Sequence, residues 1–154
     1  MTCLNIRQQN LFRELSFIQD TEVLTEGERE VFGYSKAWMH HKGRNRHHFE
    51  YWVDYNIETH RNEPVEMPYN YVAEMYCDRL AASKIYNGKK YKQTDPLDYF
   101  SRRKPHRSIN LKTRDEIEKL LVMTAEAGED EAFKYIRKRL KEEKKIKGKN
   151  KAGH

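Results

Sequence analysis

Four of the seven histidines of the chain lie within nine consecutive residues. They form two adjacent pairs, His40–His41 and His47–His48, with a glycine-containing segment between them. Imidazole is the commonest protein ligand for divalent transition metals, so a pair at a helix end and a pair after a tight turn could converge on one ion. Only one histidine of each pair can easily point the same way. His41 is in helical phase with Trp38, which favours His41 over His40 as the inward residue.

Two carboxylates form a second signal, on the apolar stripe of a later helix. Glu74 and Asp78 are four residues apart and therefore share one helix face. Acidic side chains are almost never fully buried unless they are paired or bind a metal. These two acids could join the histidines around an ion, or Glu74 could orient an imidazole or act as a general base. Alternatively, they pair with Arg44, Arg46 or Arg79 in a structural network.

Histidine and carboxylate together suit iron, manganese, zinc or nickel, whose bound water can be acidified to give a hydroxide nucleophile. The sequence thus predicts a site that holds a divalent metal ion. Arginine and lysine near such a site could receive a substrate phosphate. The candidate metal ligands are His40, His41, His47, His48 and Asp78, the candidate catalytic residue is Glu74, and the candidate substrate-binding residues are Arg44, Arg46 and Lys84.

Helix start and stop signals divide most of the chain into helices and predict an all-α fold. Apolar residues recur at helical spacing in each segment, whereas no run of alternating β-branched residues is bounded by turn signals. Strands are therefore expected to be minor at most. The predicted helices run from a Thr25–Glu28 capping box to about Lys42 before Gly43, from Pro68 to Asn87, from a Thr113–Glu116 capping box to Gly128, and from about Glu129 onwards.

The remaining segments are predicted to be connections and a tail around one compact helical domain, residues 1–140, in which residues 1–24 are atypical. A polar connection spans 56–67, and a long basic and aromatic loop spans 87–111. The loop could bind phosphate and stack bases, or it is a solvated loop anchored by its aromatic residues. The lysine-rich tail, residues 141–154, is predicted to fray and to be flexible.

Charge and composition narrow the class of protein. The net charge is +6 over 154 residues, and the tail alone supplies +4 of it, so the body is close to neutral. Nucleic acid could be a partner through the basic loop and tail, and a phosphorylated small molecule or nucleotide could be a partner of the site. The sequence contains two distant cysteines, no secretory signal and no long apolar run, which predicts a cytoplasmic protein that does not enter a membrane.

Two stretches resemble an uncharacterised bacterial and phage family. They are YSKAWMHHKGRNRHHFEYW, residues 34–52, and MPYNYVAEMYCD, residues 67–78, and the similarity continues through residues 82–86. The layout is similar to that of the HD-domain metal-dependent phosphohydrolases, which implies an HD-like helical bundle. That resemblance implies that His41, His47 or His48, and Asp78 correspond to metal ligands. The upstream His-Asp pair of the pattern is missing, because no histidine precedes His40.

These observations predict a metal-binding protein that resembles HD-type phosphohydrolases. It either hydrolyses a phosphate ester or nucleotide, or it keeps an incomplete metal site. The alternative is a non-catalytic accessory module that binds nucleic acid or a protein through its basic loop and tail.

Overall fold

The computed structural model describes residues 25, 27–102 and 109–151. The chain is mostly helical and carries one small sheet, so the predicted all-α class is confirmed in its main feature. Residues 27–32 are helical. The elements that follow are helix α1 (Lys36–Arg44), a 3-10 turn (Phe49–Tyr51), strands β1 (Val53–Asn56) and β2 (Arg61–Pro64), helix α2 (Tyr69–Asn87), a 3-10 turn (Gly88–Lys90), and helices α3 (Asp95–Arg102), α4 (Leu111–Ala127) and α5 (Glu129–Lys151).

The first predicted helix is in fact two helices, which corrects its predicted course. The helical residues 27–32 end at Gly33, whose φ of 76° is a left-handed conformation that glycine adopts without a steric penalty. Helix α1 then starts afresh after Ser35 and continues through Gly43 to Arg44. Gly43 therefore does not end the helix, because Asn45 caps it two residues later.

The polar connection contains a β-hairpin that the sequence did not indicate. Strands β1 and β2 pair antiparallel, with Val53 opposite Pro64 and Asn56 opposite Arg61. Four residues, 57–60, form the turn, and His60 adopts a φ of 54°. The Glu63 carboxylate accepts hydrogen bonds from Asn56 Nδ2 at 2.8 Å and from Thr59 Oγ1 at 2.6 Å. These side-chain hydrogen bonds stabilise the turn, which contains no glycine.

Helix α2 is the central element of the core. It begins after Pro68 and ends before Gly88, as the sequence predicted. Its buried residues pack against α3, α4 and α5, and Tyr76 lies fully buried among them. The Tyr76 hydroxyl lies 2.6 Å from Thr124 Oγ1, so both polar groups are satisfied inside the apolar core.

The long basic loop is interrupted by helix α3, which corrects the prediction of an irregular segment. Pro96 lies in its first turn, where a missing N–H costs nothing, and the Asp95 carboxylate accepts from Lys92 N at 2.8 Å. Pro96 and Phe100 are the buried residues of this helix. Phe100 belongs to the core cluster and thus anchors the helix to the core. Residues 103–108, the rest of the basic cluster, lie outside the described residues.

Helices α4 and α5 form a helical hairpin around Gly128, which has a φ of 91° and separates the two predicted helices. The start of α4 differs from the prediction, because Asn110 and not Thr113 is its N-cap, and its side chain accepts from Lys112 N at 3.0 Å. Thr113 is buried and accepts from Met67 N. Helix α5 continues to Lys151 and so includes most of the lysine-rich segment that was predicted to fray. Among the described residues, no helix is long and apolar enough to cross a membrane.

Candidate metal centre

The helix that carries the first histidine pair is fixed at its start by the side chains of Ser35 and Glu28. Ser35 Oγ accepts from Trp38 N at 3.0 Å and donates to the Glu28 carboxylate at 2.6 Å. The same carboxylate accepts from Ala37 N at 3.1 Å. Free N–H groups at the start of a helix need such acceptors, and the hydrogen bond from Ser35 lowers the pKa of Glu28. Ser35 is buried, so the arrangement fixes the direction in which α1 leaves the preceding segment.

Asn45 ends α1 and turns the chain back toward it. Its backbone N–H donates to His41 O at 3.1 Å, and its side-chain Nδ2 donates to the same oxygen at 2.9 Å. The Asn45 Nδ2 atom also lies 3.1 Å from His41 Nδ1. His48 N donates to Asn45 O, which closes the turn. The segment between the histidine pairs is therefore short and tightly bonded, and it returns the second pair to the first.

The turn brings three imidazoles together. Each of His41, His47 and His48 offers a nitrogen, and the three ligand atoms lie within 4.8 Å of one another. His48 Nε2 is 2.9 Å from His41 Nε2, and the ring centroids of His47 and His48 are 4.4 Å apart. All three side chains are partly buried. We call this group the histidine triad.

Aromatic residues enclose the triad and attach it to the core. Trp38 meets His48 edge to face, with ring centroids 5.1 Å apart. Trp52 Nε1 donates to Arg46 O at 2.7 Å, and the Trp52 ring lies 5.5 Å from that of Tyr71 on α2. Arg46 also donates to the Tyr71 hydroxyl at 3.3 Å. Contacts with α2 therefore hold the turn that carries the triad.

The surroundings of His48 favour its neutral form. Burial lowers its pKa to about 3, and the neighbouring His47, His41 and Arg79 act in the same direction. Burial and nearby positive charge both disfavour an imidazolium ion. A neutral imidazole keeps a lone pair, and that lone pair is what a metal ion requires.

The chemistry of the donors restricts the kinds of metal that fit. A set of three neutral imidazoles suits zinc, copper, iron or nickel, whereas magnesium, calcium and manganese favour oxygen ligands. Two nitrogens on one tetrahedral zinc ion lie roughly 3.3 Å apart, given bond lengths of about 2.0–2.1 Å. The 2.9 Å between the His41 and His48 nitrogens is close to that separation. The three ligand atoms together lie within 4.8 Å of one another, so one ion would have to draw them closer to occupy the site.

The structure does not bring every predicted ligand into this group. His40, next to His41, is exposed, as the helical phase indicated. Within the described part of the chain, the group of mutually close donors contains neither Glu74 nor Asp78. Both acids are partly buried on α2 and take part in interactions with other residues.

The predicted phosphate-binding residues also have different environments. Arg44 is exposed at the end of α1. The Arg46 guanidinium lies beside the triad, 5.8 Å from the centroid of the Tyr51 ring. Lys84 instead pairs with Glu129 at 2.5 Å, near the turn between α4 and α5. It lies 13 residues beyond Tyr71, which corresponds to about 20 Å along a helix.

Sequence reasoning missed two neighbours of the triad. Asn45 was not predicted as a site residue, although its spacing of four residues from His41 places it one helical turn away. Arg79 was considered only as a partner for the acids, but its charge acts on His48. No local pattern predicts the second relationship, because it depends on how α2 packs against the turn.

A mostly helical protein with a partly buried histidine triad is the class that this fold and this site define. The chain belongs to DUF5662, a family of unknown function, whose model matches residues 10–123. The match includes α1, the triad, the hairpin, α2, α3 and most of α4. Comparisons with curated proteins and with solved structures give no significant match.

Proposed function

We propose that the protein binds a divalent transition-metal ion through His41, His47 and His48. The observation that carries this proposal is the convergence of three imidazole nitrogens within 4.8 Å, on a turn that is bonded to the core. Zinc, iron and nickel are the preferred ions, because no carboxylate belongs to the group of mutually close donors among the described residues.

Each element around the triad has a defined task in this proposal. Helix α1 presents His41, and the Asn45 turn presents His47 and His48 from the opposite side. Trp38 covers His48 and excludes water from one side of the cluster. Three protein ligands leave one place on a tetrahedral ion for water or substrate, the arrangement that catalytic zinc sites use.

Hydrolysis of a phosphate ester or nucleotide is the second candidate function, and the charge around the triad favours it. Three neutral ligands would leave the +2 charge of the ion uncompensated, and Arg79, whose charge acts on His48, would add further positive charge. Such a site attracts an anionic substrate rather than a neutral one. When bound, the ion would supply a water molecule with a pKa of about 7. Glu74 is the candidate general base.

Metal content after purification without chelators or nickel resin tests the first proposal. Near-stoichiometric zinc, iron or nickel, lost in His48→Ala and kept in His40→Ala, is the expected result of elemental analysis. His40 is the matched control because it is exposed and lies one residue from His41. If the wild type stays metal-free after reconstitution, the proposal is wrong.

Activity of the metal-loaded protein tests the second candidate function, hydrolysis of a phosphate ester or nucleotide. A panel of nucleotides and phosphomonoesters should show phosphate release that requires the metal, that is lost in His48→Ala, and that falls in Glu74→Gln at unchanged metal content. If the metal-loaded wild type releases no phosphate from any member of the panel, the proposed hydrolysis is wrong, while the proposed metal binding is unaffected.

A further inference from the structure

One side-chain atom, Asn45 Nδ2, contacts two atoms of His41. It lies 2.9 Å from the backbone oxygen and 3.1 Å from ring Nδ1. A carbonyl oxygen can only accept a hydrogen bond, so the atom facing it must be the amide nitrogen and not the amide oxygen. The same nitrogen is a donor only, and therefore His41 Nδ1 must be the acceptor.

This pair of contacts determines where the proton of a neutral His41 lies. Neutral imidazole carries one proton, and since Nδ1 accepts, the proton is on Nε2. His41 Nε2 faces His48 Nε2 at 2.9 Å. His41 therefore donates to His48, whose proton is then on Nδ1. A continuous path of donation runs from Asn45 through His41 to His48.

We infer that Asn45 is a positioning residue. By donating to His41 Nδ1 it selects the Nε2–H tautomer of His41, and the Nε2–H group then donates to His48. Within the described part of the chain, the His47 ring contacts both other rings but forms no hydrogen bond. The metal-free triad thus consists of a bonded pair, His41 with His48, and one imidazole beside it.

The consequence for metal binding rests on the proposed function. An ion that binds at His41 Nε2 needs the lone pair that the proton occupies, so the proton must move to Nδ1 by way of solvent. Asn45 then cannot keep its present orientation, because its Nδ2–H donor would face the new Nδ1–H donor of His41. If its amide turned over, the amide oxygen would face His41 O at about the distance that Nδ2 now has. Asn45 therefore opposes metal binding.

The tautomer of His41 can be read directly, with no metal present. Nitrogen-15 NMR of the histidine rings in chelator-treated full-length protein distinguishes protonated from unprotonated ring nitrogens. The spectra are recorded at about pH 8, above the range in which imidazole titrates. We expect His41 protonated at Nε2 and His48 protonated at Nδ1. A His41 ring protonated at Nδ1 in the wild type would overturn the inference, whether or not the protein binds metal.

Two substitutions at Asn45 separate selection of the tautomer from support of the fold. Both keep the backbone N–H that caps α1 through His41 O. Asn45→Leu removes the side-chain donor and should convert His41 to a mixture of tautomers. Asn45→Asp offers an acceptor that, once its side chain turns away from His41 O, should favour the Nδ1–H form, which raises zinc affinity by about tenfold.

Zinc titration completes the test. We expect zinc affinity to rise in the order wild type, Asn45→Leu, Asn45→Asp, with Asn87→Leu at the far end of α2 as a control equal to the wild type. A fall in zinc affinity in Asn45→Leu, with an unchanged His41 spectrum, would show that Asn45 acts on structure alone and would overturn the inference. If no variant binds zinc, the proposed function fails while the ring spectra still decide the role of Asn45.

Discussion

The Nε2 atoms of His41 and His48 lie 2.9 Å apart, although the two residues sit on opposite sides of a chain reversal. This distance is a hydrogen bond between two imidazoles, one of which must donate and the other accept. The contact shows that the chain folds His48 back onto His41.

Removing one imidazole should remove the metal. His48→Ala deletes the ligand between the other two rings, and we expect at least about a tenfold loss of zinc affinity. Competition with a coloured chelator measures this affinity. His40→Ala is the matched control, since His40 is exposed and outside the triad. Equal affinities in the two variants would show that the triad is not the binding site.

Metal should stabilise the folded protein. An ion that binds only the folded state adds about 2.7 kcal/mol to the free energy of unfolding when its concentration is 100 times the dissociation constant. Urea unfolding with and without zinc measures this difference, and a chelator should reverse it. His48→Ala should show no such increase. Stabilisation of equal size in that variant would place the ion elsewhere in the protein.

Stability of the metal-free protein should depend on pH through His48. Its folded pKa is about 3, below the ordinary value of 6.5, so the unfolded chain takes up this proton more readily. The contribution of His48 is therefore complete above pH 6.5 and is lost as the pH falls toward 3. We expect a loss of about 1–2 kcal/mol between pH 7 and pH 5.

Urea unfolding at a series of pH values, in the presence of a chelator, measures this loss. His48→Gln cannot take up the proton and should flatten the pH dependence, whatever its effect on stability at neutral pH. His40→Gln serves as the control and should keep the dependence of the wild type. A slope that survives in His48→Gln would assign the effect to another group.

The cap of α1 should contribute measurably to stability. Ser35→Ala removes the acceptor for Trp38 N and the donor to Glu28, which should lower the free energy of unfolding by about 1 kcal/mol. Thermal or urea unfolding measures it. Ser101→Ala, on the exposed face of α3, is the control and should change stability by less than about 0.5 kcal/mol. Equal effects would show that the cap contributes nothing.

Some of the fold could be predicted because its signals are local. The ends of α2 and α4 follow from Asn87–Gly88 and Gly128, and the preference for His41 over His40 follows from helical phase. The Thr113–Glu116 capping box was wrong for a physical reason: the Thr113 hydroxyl accepts from Met67 N, a residue far away in sequence. A local pattern cannot show that a distant backbone group competes for the same side chain.

In the candidate site, too, features with local signals could be predicted and features that depend on distant contacts could not. The three clustered histidines could be predicted, since the turn that joins them is built from adjacent residues. The position of Asp78 could not, because it depends on the packing of α2 against the turn rather than on spacing along the chain. The hairpin escaped prediction because hydrogen bonds from Asn56 and Thr59 to Glu63 take the place of a glycine in its turn.

The histidine triad spans only eight consecutive residues, from His41 to His48. Closing so short a loop costs little chain entropy, and the cost grows only slowly with length. The donor group therefore does not depend on bringing together distant parts of the sequence, unlike the core around Tyr76, which joins α2 to Thr124 on α4. The loop that carries the three donors can therefore close locally, whereas its attachment to the core depends on Trp52 and Arg46 meeting Tyr71 on α2.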